Sequence, residues 1–192
     1  MKTIHAEIKS ISAMLMHSDR TANPLDEFSK ALKKFTSKRK KTEEDYLAIA
    51  KLEFEASCYY ESTNGWYMPC ANIEATLLNS AKHFKKGTLI KQAIIVPENG
   101  TFSFPDDNLK PTQLFKKSEY VDMRTVKVGT QKVVRTRPIF HEWRVSFVGF
   151  LDTNKMEPDE IKEIIENAGK YVGLGDYRPR YGRFELISFK VK

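Results

Sequence analysis

Two stretches with helical spacing, each lying between segments that read as strands, constrain this chain most. Ile73, Leu77, Leu78, Ala81 and Phe84 recur three and four residues apart, and so do Ile161, Ile164, Ile165, Ala168 and Val172. Such spacing gathers the apolar side chains on one helix face, which must pack against something else. Pro69 precedes the first stripe and Gly87 reads as its stop. Pro158 opens the second where a missing amide is tolerated, and Gly173 stands where a left-handed cap is expected.

The segments around these helices have strand period. From Thr3 to Met16, Ile4, Ala6 and Ile8 alternate with polar residues before the run thickens into Met14-Leu15-Met16, and Asn23-Pro24 breaks it. Leu89 to Val96 is nearly continuous apolar sequence and reads as a strand inside a sheet, followed by an irregular loop from Pro97 to Pro111. Tyr120–Val128 and Lys132–Ile139 flank Gly129-Thr130-Gln131 as a hairpin, with Pro138 marking an edge or a strand end. Trp143–Leu151 and Arg183–Val191 supply two more strands. A short amphipathic helix is expected over Asp26–Phe35. Thr42-Glu43-Glu44-Asp45 reads as a capping box for another, with Tyr46, Leu47, Ile49, Ala50 and Phe54 as its stripe, running to about Cys58.

Reduced to its core, the order is βαββαβ, so the expected fold is α+β and ferredoxin-like. A single domain over 1–192 is expected, with a helical, basic insertion at about 18–64 after the first strand and a β-hairpin insertion at about 97–140 before the third. A chain of 192 residues is long enough for one domain with a sizeable core.

Net charge is +7, and its placement says more than its sum. Residues 30–41 carry Lys30, Lys33, Lys34, Lys38, Arg39, Lys40 and Lys41 with no acid. Residues 116–144 carry eight bases against Glu119, Asp122 and Glu142, so the rest of the chain is net acidic. Concentrated positive charge of this kind favours a polyanionic partner. In the hairpin, Arg135 and Arg137 share a strand face, Lys127 and Lys132 flank the turn, and Arg124 adds a further cation. Such a ribbon could lie along a nucleic-acid backbone, or its charge could simply protect a solvated edge. The lysine run could likewise be a solvated loop or a salt-sensitive arm for polyanions, through Lys38, Arg39, Lys40 and Lys41.

The sharpest chemical signal lies between the last helix and the last strand, in Tyr171-Val172-Gly173-Leu174-Gly175-Asp176-Tyr177-Arg178-Pro179-Arg180-Tyr181-Gly182-Arg183. Gly173, Gly175 and Gly182 permit positive φ and close backbone approach, so that main-chain amides could meet phosphates. Arg178, Arg180 and Arg183 bring charge and bidentate donors, while Tyr177 and Tyr181 offer faces on which unpaired bases stack. A helix cap followed by a tight turn is the plainer reading of the same glycines.

Gly173 to Leu186 resembles the C-terminal glycine-rich loop and following strand of the RAMP superfamily of CRISPR-associated proteins. The stretch from Tyr67 to Ala81 is similar to the segment of backbone-type RAMP subunits in which a hydrophobic-Pro pair leads into the first core helix; Cys70 and Glu74 depart from that pattern. The resemblance covers these two motifs and the order of elements. It implies a ferredoxin-like domain that binds RNA, and a hairpin at 120–139 projected over a guide strand. It also implies that His17, or Asp19 beside it, could stand where some relatives keep a catalytic residue.

The expected function is therefore binding of single-stranded RNA or DNA, alone, as a homo-oligomer along the strand or within a ribonucleoprotein complex. One alternative is a metal-independent endoribonuclease using His17 as a general base. Another is a phage or mobile-element structural or inhibitory protein whose basic face meets an acidic partner. No P-loop, HExxH or GxSxG is present, and His5, His83 and His141 have no metal-ligand spacing with the cysteines, so no cofactor and no metal are expected. Cys58 and Cys70 read as reduced thiols of a cytoplasmic protein without a membrane span.

Overall fold

A computed structural model describes residues 1–192, the side chain of Val128 excepted. In chain order the elements begin with β1 (Lys2–Ser10), β2 (Met14–Leu15), α1 (Glu27–Thr36), α2 (Glu43–Ser57), β3 (Tyr60–Glu61) and β4 (Gly65–Met68). Next come α3 (Cys70–Ala81), α4 (Gly87–Ala93), β5 (Ile94–Ile95), β6 (Gly100–Ser103) and α5 (Pro111–Leu114). The chain ends with β7 (Val121–Val128), β8 (Gln131–Phe140), β9 (Arg144–Leu151), α6 (Pro158–Asn167) and β10 (Phe184–Val191). No described helix is long and apolar enough to cross a membrane. The chain divides into two compact units, one formed by Met1–Met14, Glu61–Asp107 and Phe140–Lys192, the other by Leu15–Tyr60 and Asn108–Ile139.

The first unit is built on a sheet ordered β10-β1-β9-β6-β4-β3, with β5 paired to β9. The central order β10-β1-β9-β6 is antiparallel throughout. With α3 and α6 as the two helices, it gives the ferredoxin-like α+β core expected from the element order. Alternation decides the faces: Ile4, Ala6 and Ile8 of β1 and Val145, Phe147, Gly149 and Leu151 of β9 are buried, while the residues between them face outward. The two helices cover the buried face with Ile73, Leu77 and Ala81 and with Ile161, Ile164 and Ile165. Ser80 lets the helices approach closely. Its hydroxyl donates to the Ile164 carbonyl at 2.6 Å and accepts from Asn167 Nδ2 at 2.8 Å. At the end of the sheet, Trp66, Phe102, Phe104, Phe140 and Trp143 form an aromatic cluster, with Phe104 and Phe140 4.7 Å apart between ring centroids. The Trp143 indole donates to Ser12 O at 3.0 Å, so its polar end is satisfied under burial.

Leu89–Val96, expected to be a single strand, is instead helix α4 through Ala93, and only Ile94–Ile95 pair as a strand. Ile90 and Ala93, three apart, are the helix's buried positions. An apolar run this short fits a buried helix turn as well as a buried strand. The stretch expected to be irregular loop contains β6, which takes the place beside β9.

The second unit combines α1, α2, α5 and the β7–β8 ribbon, with Phe54 and Phe115 edge-to-face at 5.4 Å and Leu15, Met16 and Leu114 fully buried. Both expected helices form. Asp26 caps α1 by accepting from the Phe28 amide, and Thr42 and Asp45 make the reciprocal capping box of α2. The face that α2 buries keeps only part of the expected stripe, Ala50 and Phe54. Ala50, Glu53, Phe54 and Ser57 are inside, whereas Tyr46 and Leu47 are 60% and 57% exposed.

The Lys38 ammonium, 2.6 Å from Asp45, and then the Thr42 amide hold the Asp45 carboxyl below its ordinary range. A carboxylate whose folded pKa is depressed contributes stability above its unfolded value, near pH 4, and loses it as pH falls through the folded value. The stability gap between the wild type and Asp45→Asn should therefore be full above about pH 5 and shrink progressively as pH falls below about 4, as urea unfolding across the acid range would read. A gap independent of pH would remove Asp45 from the acid response.

Candidate nucleic-acid interface

After α6 the chain makes a wide turn over Ala168–Val172 and enters the glycine-rich loop. Gly173, Gly175 and Gly182 all adopt positive φ, at 79°, 86° and 76°. Two of them serve the loop itself. Leu174 N donates to Gly182 O at 2.9 Å and Gly182 N to Ala13 O at 2.8 Å, so the two legs are zipped at their base. A Cβ on Gly173 would lie 2.8 Å from Tyr181 O, and one on Gly182 only 1.7 Å from Leu174 O. The close backbone approach that glycine allows here is thus filled by the loop's own chain, and the amides of Gly173, Leu174 and Gly182 are already bonded. The plainer reading of these two glycines is the one their contacts fit.

Above that base, residues 177–180 are exposed. Tyr177, at φ 59° and 52% exposed, meets Tyr181 edge-to-face at 6.2 Å. Arg178, Arg180 and Arg183 are exposed and form no ion pair among the described residues. Instead, Arg178 Nη1 donates to Thr76 Oγ1 at 3.1 Å, and that hydroxyl donates to Gly173 O at 3.2 Å. Thr76 is buried in α3 and so ties both the base and the projecting part of the loop to the core. Arg183 Nε donates to Pro179 O at 3.0 Å, which orients its guanidinium without neutralising it.

Between this loop and the end of α3 runs an open groove of about 720 Å³. Gly175, Tyr177 and Arg178 form one wall, and Asn79, Lys82 and His83 the other, with Tyr171 exposed beside them. Lys82 and His83 carry no motif in the sequence. Their place opposite the loop follows from the packing of α3 against α6, where Asn167 Nδ2 also reaches His83 Nδ1 at 3.0 Å. At the start of α3, the Cys70 amide donates to Asn99 Oδ1 and Glu74 accepts from the Val96 amide, so that helix end is occupied by the unit's own groups.

The second unit holds the other sequence-expected cations. In β7 and β8, Arg124 pairs with Asp122 on its own strand, and Arg135 with Glu53 of α2. Lys127 and Lys132 are directly opposed at the ribbon's tip and both exposed. Like charges in that position repel, so an anion between them would be favourable. Arg137 lies opposite Asp122 in the register and is half-buried. Within the lysine run, Lys38 binds Asp45 and packs over Phe35, and Lys41 donates to Lys38 O, whereas Arg39 and Lys40 stand exposed. His17 Nδ1 lies 3.3 Å from Ser57 Oγ, and Asp19 is exposed just before a short 3₁₀ turn at Arg20–Ala22. Burial pushes the Cys58 thiol well up, with Glu55 adding to the effect, so it is a poor nucleophile.

No protein-family model matches the sequence, and no curated protein sequence matches it. Among solved structures, a chain in the cryo-EM structure of the Type III-B Cmr-beta bound to cognate target RNA aligns over 99% of this chain with a TM-score of 0.52. The two are 11% identical, and this chain spans 60% of the length of that one. At that identity the likeness is one of fold.

Proposed function

We propose that this chain binds single-stranded RNA in the groove between the 171–183 loop and the end of α3, as a RAMP-type protein working within a ribonucleoprotein assembly. The observation that carries the reading is the state of the loop arginines. Among the described residues none of the three guanidinium groups forms an ion pair, and they share with two tyrosines a loop pinned to the core through Thr76. Exposed cations held in position, rather than paired, suit phosphates, and tyrosine faces suit bases that are not paired to another strand. RNA is favoured over DNA because the similar fold occurs in a structure bound to target RNA. Lys82 across the groove, and Lys127, Lys132, Arg39 and Lys40 in the other unit, would add sequence-independent, salt-sensitive attraction.

The test is fluorescence anisotropy with a labelled single strand at near-physiological salt. Changing Arg178, Arg180 and Arg183 together to Ala is expected to weaken binding at least severalfold. If each arginine holds one phosphate, the slope of log K against log salt should also fall by about 2, at roughly 0.7 per contact on a single strand. Tyr177→Ala should cost about 1–3 kcal/mol of stacking with little change in that slope. Unaltered affinity in the triple variant would reject the loop as the site.

A further inference from the structure

The second unit contains a cavity of about 410 Å³ that the groove reading leaves unused. Its walls come from α1, α2 and both strands of the β7–β8 ribbon, β7 contributing Val126. Ser29, Leu32, Lys33 and Thr36 of α1 recur at three and four residues, so one face of that helix turns to it. From α2 come Glu53 and Ser57, one turn apart and both buried; from β8 come Arg135, Thr136 and Arg137. His17 and Thr21 stand at the side.

The polar groups of this wall are organised around one carboxylate. Glu53 accepts from the Arg135 guanidinium through Oε1 and from the Thr136 amide through Oε2 at 3.0 Å. Both of its oxygens are therefore turned to the wall. Arg135 gives one of its five N–H donors to that bond and keeps the others. The Lys33 ammonium forms no hydrogen bond or ion pair among the described residues. The lining thus holds three cations, Lys33, Arg135 and Arg137, against one neutralised acid, with hydroxyls from α1 and α2 among them. Such a wall favours a doubly charged anion, and guanidinium forks match the oxygens of a phosphate. The cavity is far larger than a water-sized anion needs, at about 30 Å³ per water, and falls in the range of about 300–1,000 Å³ usual for organic ligands. Leu32 and Val126 supply apolar lining for the part of such a ligand that is not phosphate.

We propose that this cavity binds a phosphomonoester carried on a nucleoside: a nucleotide, either free or as the phosphorylated end of an RNA strand. The site stands on the second unit alone and does not depend on the groove. Calorimetric titration of the full chain with adenosine 5′-monophosphate, adenosine and inorganic phosphate tests it. The nucleotide is expected to saturate, with adenosine at least about tenfold weaker and inorganic phosphate competing, because a charge-assisted bidentate contact is worth a factor of that order. Arg137→Gln and Lys33→Gln should each weaken the nucleotide about tenfold. Lys33 is exposed on α1, so its variant keeps the fold and carries the test if Arg137→Gln does not fold. Short RNAs phosphorylated at the 5′ end, at the 3′ end or at neither then separate the sources. Tighter binding of a phosphorylated end that disappears in Lys33→Gln assigns the cavity to an RNA terminus. Nucleotide binding with no preference among the RNA ends assigns it to a free nucleotide. Equal binding of nucleotide and nucleoside, no saturation by about 10 mM, or nucleotide affinity unchanged in Lys33→Gln would overturn the proposal. Binding of an RNA blocked at both ends reports on the groove separately, and Lys33→Gln should leave it intact.

Discussion

Gly182→Ala is expected to destabilise the first unit by at least about 3 kcal/mol, because two costs fall on one position. The residue sits at φ 76°, where an alanine is strained by about 1–2 kcal/mol even in open space. Its Cβ would also overlap the Leu174 carbonyl at 1.7 Å and approach the Leu174 backbone at 2.8 Å. These are main-chain atoms, so no rotamer change relieves the clash. Leu174 is itself buried, and its amide bonds back to Gly182. Relief therefore requires separating the legs of the loop and losing the Leu174–Gly182 and Gly182–Ala13 hydrogen bonds. Gly65→Ala is the control. It has φ 77° with nothing within 4 Å of the added methyl, so only the conformational cost of about 1–2 kcal/mol should appear. Thermal unfolding of the two variants, with hydrogen exchange at the Leu174 amide, would measure the difference. Equal losses would mean that the loop base is looser than its contacts imply.

That loop also shows where sequence reasoning reaches its limit. Positive φ at its three glycines was legible, because Gly is the residue that takes such angles freely. What the glycines make room for was not: the atoms that fill the space belong to Tyr181, Gly182 and Leu174 and arrive only when the loop folds back. The two core helices and the strands β1, β9 and β10 were readable because each keeps its period for eight residues or more. The segment that became α4 and β5 is too short for its period to decide, and β6 is a four-residue strand in polar sequence. Sequence spacing put Arg135 and Arg137 on one ribbon face, as alternation requires, but not against Glu53, which lies more than eighty residues away in the chain. Glu53 lies outside the apolar stripe that spacing gives α2. Its partners explain why that helix buries the face it does.

Glu53→Ala should cost the second unit about 2–4 kcal/mol, and most of that loss should come from the backbone rather than from the ion pair. The Glu53 side chain is 9% exposed, whereas that of Arg135 is 44% exposed. Once released, Arg135 can turn to water, so its share resembles that of a surface pair, under about 1 kcal/mol. The Thr136 amide cannot turn. It is carried by a residue 2% exposed, and losing the Glu53 carboxylate as its acceptor leaves a buried donor unsatisfied, at about 1–3 kcal/mol, with the emptied side-chain volume adding to it. Glu53→Gln separates the contributions. Its amide oxygen can still accept from Thr136 while the charge is gone, so the loss should shrink to about 1 kcal/mol. Hydrogen exchange should show the Thr136 amide unprotected in the alanine variant and protected in the glutamine variant, with urea unfolding giving the stabilities. If glutamine proved as damaging as alanine, the Arg135 pair rather than the amide would hold α2 to β8. The cavity beside them would then owe its shape to charge pairing, and its affinity for an anion would fall with either variant.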